Sequence, residues 1–310
     1  MSGKRTFPQV LIVAIWLLTG EAASAPLKVA FFGDLPYGDI TSLQKVVAAV
    51  GQSDAELAVH IGDIKSGSSR CANELFQQVK REFDQFPIPM VYIPGDNEWT
   101  DCHRSGAGKF DPLERLAALR QFFTVGKTTF GKKTLPLQRQ SQIKGFQLYS
   151  ENIQLTLRGV HFIGLHIIGS NNNLGRNKKN DAEYMARDKA NLAWMKAGFQ
   201  QAAKAKAKAI VLLIHANPGF EKKASTKSGF QNFLTELRPL AEASPRPILL
   251  VHGDSHTFRV DKPLTYVNEI HYPNFTRLEV FGSPNEHWVR VVIDPDQKNP
   301  FLFQPMILSD

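Results

Sequence analysis

Leu57-Ala58-Val59-His60-Ile61-Gly62-Asp63 is the stretch on which the fold turns. Four of its first five residues are apolar with no polar alternation, the pattern of a strand covered on both faces. The run then breaks at Gly-Asp. The same phrase recurs on either side: Val29-Ala-Phe-Phe32 runs into Gly33-Asp34, and Met90-Val-Tyr-Ile93 runs through Pro94 into Gly95-Asp96. The three aspartates stand 29 and then 33 residues apart, the length of a βαβ unit. Helix-like segments at 39–50, 72–85 and 111–123 follow the three runs. Further on, Ile210-Val-Leu-Leu-Ile214 ends at His215, and Ile248-Leu-Leu-Val251 leads into His252-Gly253-Asp254. A longer helix over 181–203 places Met185, Leu192, Met195, Phe199 and Ala202 on one face, a core stripe. From about 245 the pattern turns strand-rich, with Leu278–Phe281 and Trp288–Ile293 as clear members, which leaves room for a second sheet. No repeat, low-complexity tract or Pro/Gly-rich linker divides 25–310, so it reads as one α/β domain.

Ligand sites in open α/β sheets form beyond the carboxyl ends of the strands. Here Asp34, Asp63, Asp96 and Asp254 mark four such ends and His215 a fifth, with His256 two residues past Asp254. One aspartate after a strand is ordinarily a cap or turn former. Five ends of this kind need another reason, because clustered carboxylates repel unless cations neutralise them. Four carboxylates and two imidazoles suffice for two divalent metals, a known device for phosphoryl hydrolysis.

The composition sits near the globular average. With 43% hydrophobic and 21% charged residues, disorder, collagen-like repeats and coiled coil are disfavoured. A net charge of +8 points to an anionic partner without choosing one. Lys4 and Arg5, the apolar run Val10–Leu18 and the small residues Ala22-Ala-Ser-Ala25 have the order of a signal peptide over 1–24, cleaved after Ser24. That run is too short to span a bilayer. The expected location is therefore periplasmic or secreted, and in an exported chain the pair Cys71 and Cys102 favours a disulfide over two free thiols.

At this point the chain resembles the calcineurin-like metallophosphoesterases, whose pattern is Asp-x-His, Gly-Asp, Gly-Asn-His-Asp/Glu, a lone His, and Gly-His-x-His. The corresponding blocks here are Asp34-Leu-Pro36, Gly62-Asp63, Gly95-Asp96-Asn97-Glu98, His215 and Gly253-Asp254-Ser-His256, in order along 27–257. The resemblance implies a four-layer αββα sandwich of two mixed sheets with a dinuclear centre at the C-terminal ends of the strands. It implies that Asp63 bridges the metals, that Asp34 and His256 bind the first, and that Asp96, His215 and Asp254 bind the second. It implies attack on phosphorus by a hydroxide held between them.

Three departures mark the chain as divergent. Pro36 stands in the place of the first-motif histidine, a ligand that purple acid phosphatases also lack. Asp96 and Asp254 replace Asn and His, and such oxygen donors favour Mn, Fe or Mg over Zn at the second site. Asn97 replaces the histidine that assists substrate or leaving group, and an amide cannot supply a proton. His103, in the same loop, is the candidate to do so. Lys65 and Arg104 are the first candidates for binding substrate phosphate, with Arg70 and Arg176 behind them. His60, His161, His166 and His252 read as packed, structural residues. Lys127, Lys132, Lys133, Arg139 and Lys144, with Arg176, Lys178 and Lys179, suggest a basic rim steering an anion toward an acidic centre. The expected function is an exported metal-dependent phosphoesterase acting on a small phosphomonoester or phosphodiester. The rivals are a nucleotide or nucleic-acid hydrolase and a phosphoesterase-fold binding protein that has lost catalysis.

Overall fold

In β1 (Leu27–Phe32), Leu27, Val29 and Phe31 pack into one core while Ala30 and Phe32 pack into another, and all five are buried. The same split divides β2 (Leu57–His60), with Leu57 and Val59 on one side and Ala58 on the other. Side chains alternate across a strand, so a strand with no polar face must be covered twice. Each such fully buried Leu, Val or Phe stabilises the fold by about 1.5–3 kcal/mol. The computed structural model that shows this describes Gly3 and residues 25–308 other than 267. Apart from Gly3, the signal segment read over 1–24 lies outside the described residues.

Two mixed sheets carry these layers. The first has the order β12-β11-β1-β2-β3, with β3 at Met90–Tyr92, β11 at Trp288–Ile293 and β12 at Phe301–Met306. The second has the order β4-β5-β6-β7-β8-β10-β9, formed by Gln138–Arg139, Ile153–Leu157, Val160–Gly164, Ala209–Leu213, Ile248–His252, Phe275–Glu279 (β10) and Arg259–Asp261 (β9). Within them β1, β2 and β3 run parallel, as do β6, β7, β8 and β10. The inter-sheet core joins Val29, Val59 and Val91 to Phe162, Val211 and Val251. Helices α1 (Ile40–Gly51), α2 (Asn73–Asp84) and α3 (Pro112–Phe123) cover the outer face of the first sheet. Helices α5 (Lys178–Lys204) and α6 (Gln231–Ala243) cover that of the second, completing a four-layer α/β sandwich. Asp39, Asp111 and Asn177 cap α1, α3 and α5 by accepting from the first free backbone N–H groups. Among the described residues, no helix is long and apolar enough to cross a membrane.

The strand-rich C-terminus is divided between the sheets: β8, β9 and β10 join the second, while β11 pairs antiparallel with β1 and returns the chain to the first. Two expectations need correction. Met185 is 61% exposed and outside the core stripe of α5, whose N-terminal half instead buries Asn180, Arg187, Asp188 and Asn191. Arg139 belongs to no basic rim; it is buried and donates to the carbonyls of Gly126 and Ser150, and burial lowers its pKa to about 10.

Candidate metal centre

The parallel strands of both sheets deliver their C-terminal ends to one place. Asp34, Asp63 and Asp96 follow β1, β2 and β3, while His215 and Asp254 follow β7 and β8. One oxygen or nitrogen each from Asp34, Asp63 and His215 lies within 4.8 Å of the others, and the same holds for Asp96, His215 and Asp254. His215 Nε2 is the hub, 3.1 Å from Asp96 Oδ1, 3.4 Å from Asp63 Oδ1 and 3.8 Å from Asp254 Oδ1. Its Nδ1 lies 2.6 Å from the carbonyl of Ile61, which fixes the ring and leaves Nε2 facing the carboxylates. His256 is held likewise, Nδ1 at 2.6 Å from the Ser283 carbonyl and Nε2 at 3.4 Å from Asp34 Oδ1. One Nε2 lone pair serves one cation, so His215 can complete only one of the two triads.

The backbone is strained where the ligands sit. Asp34, Asp63, Asp254 and His256 have φ of 53°, 57°, 75° and 57°, the left-handed region that non-glycine residues seldom adopt. A second strained element lies against them. The turn α4 (Gly169–Asn172) carries positive φ from Ser170 through Asn173, at roughly 1–2 kcal/mol per residue. Arg187 holds it, donating from Nη1 to Asn172 Oδ1 at 2.6 Å and from Nη2 to the Asn172 carbonyl at 2.9 Å. The turn brings Ser170 Oγ to 2.9 Å from Asp96 Oδ2. It also brings Gly169 so close that a Cβ there would collide with Oδ1 of both Asp96 and Asp254.

Electrostatics show what the cluster lacks. Burial, joined by the charges of Asp96, Glu98 and Asp34, raises the Asp63 pKa well above the carboxylate range against the pull of His215. Burial, then Asp96 and Asp34, push Asp254 up to about 6, again opposed by His215. Burial disfavours the charged forms of His215 and Asp96 too. The surrounding carboxylates nevertheless raise His215 well above its ordinary value, and bonding to His215 holds Asp96 at about 2. Without cations the centre must therefore keep protons that the unfolded chain would release. A hard-oxygen and imidazole donor set with this excess of negative charge suits divalent metals.

The third loop is anchored around Asn97. Its backbone N–H donates to Asp63 Oδ1 at 3.0 Å, and its amide Nδ2 donates to Asp63 Oδ2 and, at 2.9 Å, to the Tyr37 hydroxyl. Lys65 is buried, with Nζ donating to the carbonyls of Asn97 and Ser66, so its ammonium braces the loop from within. Cys71 and Cys102 form a disulfide linking the second and third loops, with both sulfurs 3.6 Å from the Asn97 carbonyl. Arg104 is 48% exposed at its side chain and pairs with Asp101 at 2.6 Å. A Cβ on Gly67 would touch both Arg104 and Asn97 Oδ1. Arg176 donates to the Thr100 carbonyl and hydroxyl. His103 is exposed, its Nδ1 2.8 Å from the Thr100 carbonyl. His60, His161 and His252 are buried with pKa values lowered by burial, and His166 pairs with buried Glu151 at 2.8 Å.

Four residues of the site were missed in the sequence. Tyr37 was one residue past the first motif, and its hydroxyl lies 3.5 Å from Asp63 Oδ2. Asn217, two past His215, donates its backbone N–H to Asp254 Oδ2 at 3.2 Å; proximity to a motif was the available signal for both. Ser170 and Asp101, whose side chains meet at 2.9 Å, carried none.

No protein-family model matches the chain, and no curated protein matches it. Solved structures do. A dimetal phosphatase from Danio rerio is similar with a TM-score of 0.56 and 11% identity, over 91% of this chain and 96% of that one. PhoD is similar with a TM-score of 0.55 and 11% identity, over 92% of this chain and 69% of that one. Purple acid phosphatase PPD1 from yellow lupin (Lupinus luteus) seeds is similar with a TM-score of 0.51 and 12% identity, over 92% of this chain but only 52% of that one. At these identities the likeness is one of fold, and the fold is that of metallophosphoesterases.

Proposed function

We propose that the protein is a metal-dependent phosphoesterase acting on a small phosphorylated substrate and exported before it acts. The observation that carries this reading is the pair of overlapping triads, Asp34–Asp63–His215 and Asp96–His215–Asp254, at the shared edge of two sheets in this fold. Asp34, Asp63 and His256 would hold one divalent metal, and Asp63, Asp96, His215 and Asp254 the other. Bound there, divalent metals would lower the pKa of a water molecule and polarise the phosphoryl group. The carboxylate-rich second set favours Mn, Fe or Mg.

The chain's own residues do the rest. Asn97 holds Asp63 through two hydrogen bonds, and Tyr37 fixes the Asn97 amide. Arg104, half-exposed and paired with Asp101 in the same loop as Asn97, is the proposed partner for phosphate oxygens. His103 is the imidazole of this loop available to protonate a leaving group. Lys65, turned inward, serves the loop and not the substrate.

Purified protein loaded with Mn²⁺ and offered an aryl phosphomonoester and a bis-aryl phosphodiester tests the reading. Turnover that disappears with chelator and with Asp63→Asn supports it. Stoichiometric metal without turnover of either ester, with any divalent ion, overturns it in favour of a binding protein.

A further inference from the structure

A second feature borders the centre. The segment after β7 and the start of α6 enclose a cavity of about 340 Å³ whose lining includes Lys222, Lys223, Lys227 and Arg238 and no acidic residue. The acid within this segment is diverted: Glu221 pairs with Arg277 at 2.6 Å and with Arg259 at 3.3 Å. Lys222, Lys223 and Lys227 have no ion-pair partner among the described residues, and three like charges on one short loop raise its potential for anions. Phe220 and Phe230 give the cavity an apolar wall.

Two chain segments connect the cavity to the metal centre. On one side its lining residue Pro218 follows Asn217, whose N–H donates to Asp254. On the other its lining residue Asn171 follows Ser170, which bonds Asp96. Asn171 ties the two together, its Nδ2 donating to the Lys227 carbonyl at 3.0 Å and its Oδ1 accepting from Gly229 N–H at 2.9 Å. The left-handed turn that abuts the centre thus also anchors the lysine loop.

From this arrangement we infer that the cavity is a subsite for a second anionic group, phosphate or carboxylate, joined through an apolar body to the group held at the centre. The inference rests on the phosphoesterase reading for what occupies the centre, and it narrows the substrate class to bis-anionic phosphate esters.

Phosphonates, which are not hydrolysed, separate the two questions. Phenylphosphonate, para-phenylene bisphosphonate, the longer biphenyl bisphosphonate and para-carboxyphenylphosphonate are titrated calorimetrically into Mn²⁺-loaded protein. At least one bis-anion should bind about tenfold or more tightly than phenylphosphonate, the scale of a charge-assisted contact. The carboxylate arm tells which anion is preferred. The advantage should vanish in Lys222→Gln/Lys223→Gln/Lys227→Gln, whose positions are exposed, and persist in Lys45→Gln/Lys204→Gln/Lys206→Gln, which removes equal charge at exposed positions elsewhere. Equal affinities in the unmodified protein, an advantage that survives in the cavity variant, or equal loss in both variants overturns the inference. Failure to hydrolyse aryl phosphate esters would count against the phosphoesterase reading alone, because the phosphonate comparison requires no turnover.

Discussion

The hydroxyl of Tyr37 stands 2.9 Å from the amide nitrogen of Asn97, and that amide also donates to Asp63. Both N–H bonds of the amide are thereby directed at protein acceptors, so Asn97 positions Asp63 and Tyr37 keeps it in place. Removing the hydroxyl in Tyr37→Phe leaves one amide hydrogen unpaired. Activity should fall by about tenfold to a hundredfold, the usual effect of an outer-shell partner, with metal content unchanged by elemental analysis. A wild-type rate would show that the contact is idle.

Gly169 is a glycine for reasons of space. A methyl group there would meet Oδ1 of Asp96 and of Asp254 at once. Gly169→Ala should weaken metal binding by at least about tenfold while circular dichroism stays native. Unaltered affinity by isothermal titration would mean that the turn yields without disturbing the ligands.

Competition between protons and cations for these ligands gives metal binding a pH dependence. Asp254 titrates near 6 and Asp63 well above its ordinary range, while in the unfolded chain both release protons near 3.9. Between about pH 4 and 7 the folded centre binds more protons than the unfolded chain, so its contribution to stability falls as pH rises. Cations displace those protons and reverse the loss. The rise in Tm on adding Mn²⁺ should therefore be larger near pH 8 than near pH 5; scanning calorimetry showing the opposite order would rule this account out.

Metal preference follows donor chemistry. Asp96→Asn combined with Asp254→His exchanges two carboxylates for an amide and an imidazole, and should shift the bound metal toward zinc. Metal analysis after competition between Mn²⁺ and Zn²⁺ checks it, and an unchanged ratio removes these two residues from the ligand set.

The disulfide closes a loop between residues 31 apart in sequence. Replacing Cys71 and Cys102 with serine should cost about 3–4 kcal/mol of stability by the loop-entropy relation, read from urea denaturation. Because both sulfurs lie against the Asn97 carbonyl, activity should fall as well at temperatures where the variant remains folded.

Leu57–Asp63 and its counterparts at 29–34 and 90–96 were decisive because buried parallel strands admit no polar alternation, and a carboxylate placed just past each strand end must converge with the others. The sequence by itself thus determined the strand type, the layer count implied by the family pattern, and the side chains that meet at His215. What it could not determine depended on packing between segments remote in the chain. Only the tertiary structure decided that β11 returns to β1, since an antiparallel pairing across 260 residues leaves no local pattern. Only it showed that Lys65 turns inward to bind carbonyls and that Arg139 is buried, because the direction of a long charged side chain is set by the acceptors it finds. Ser170 reaches Asp96 through a left-handed turn that has no glycine from 170 to 173, in a conformation that local propensity disfavours and that Arg187, from another element, holds in place.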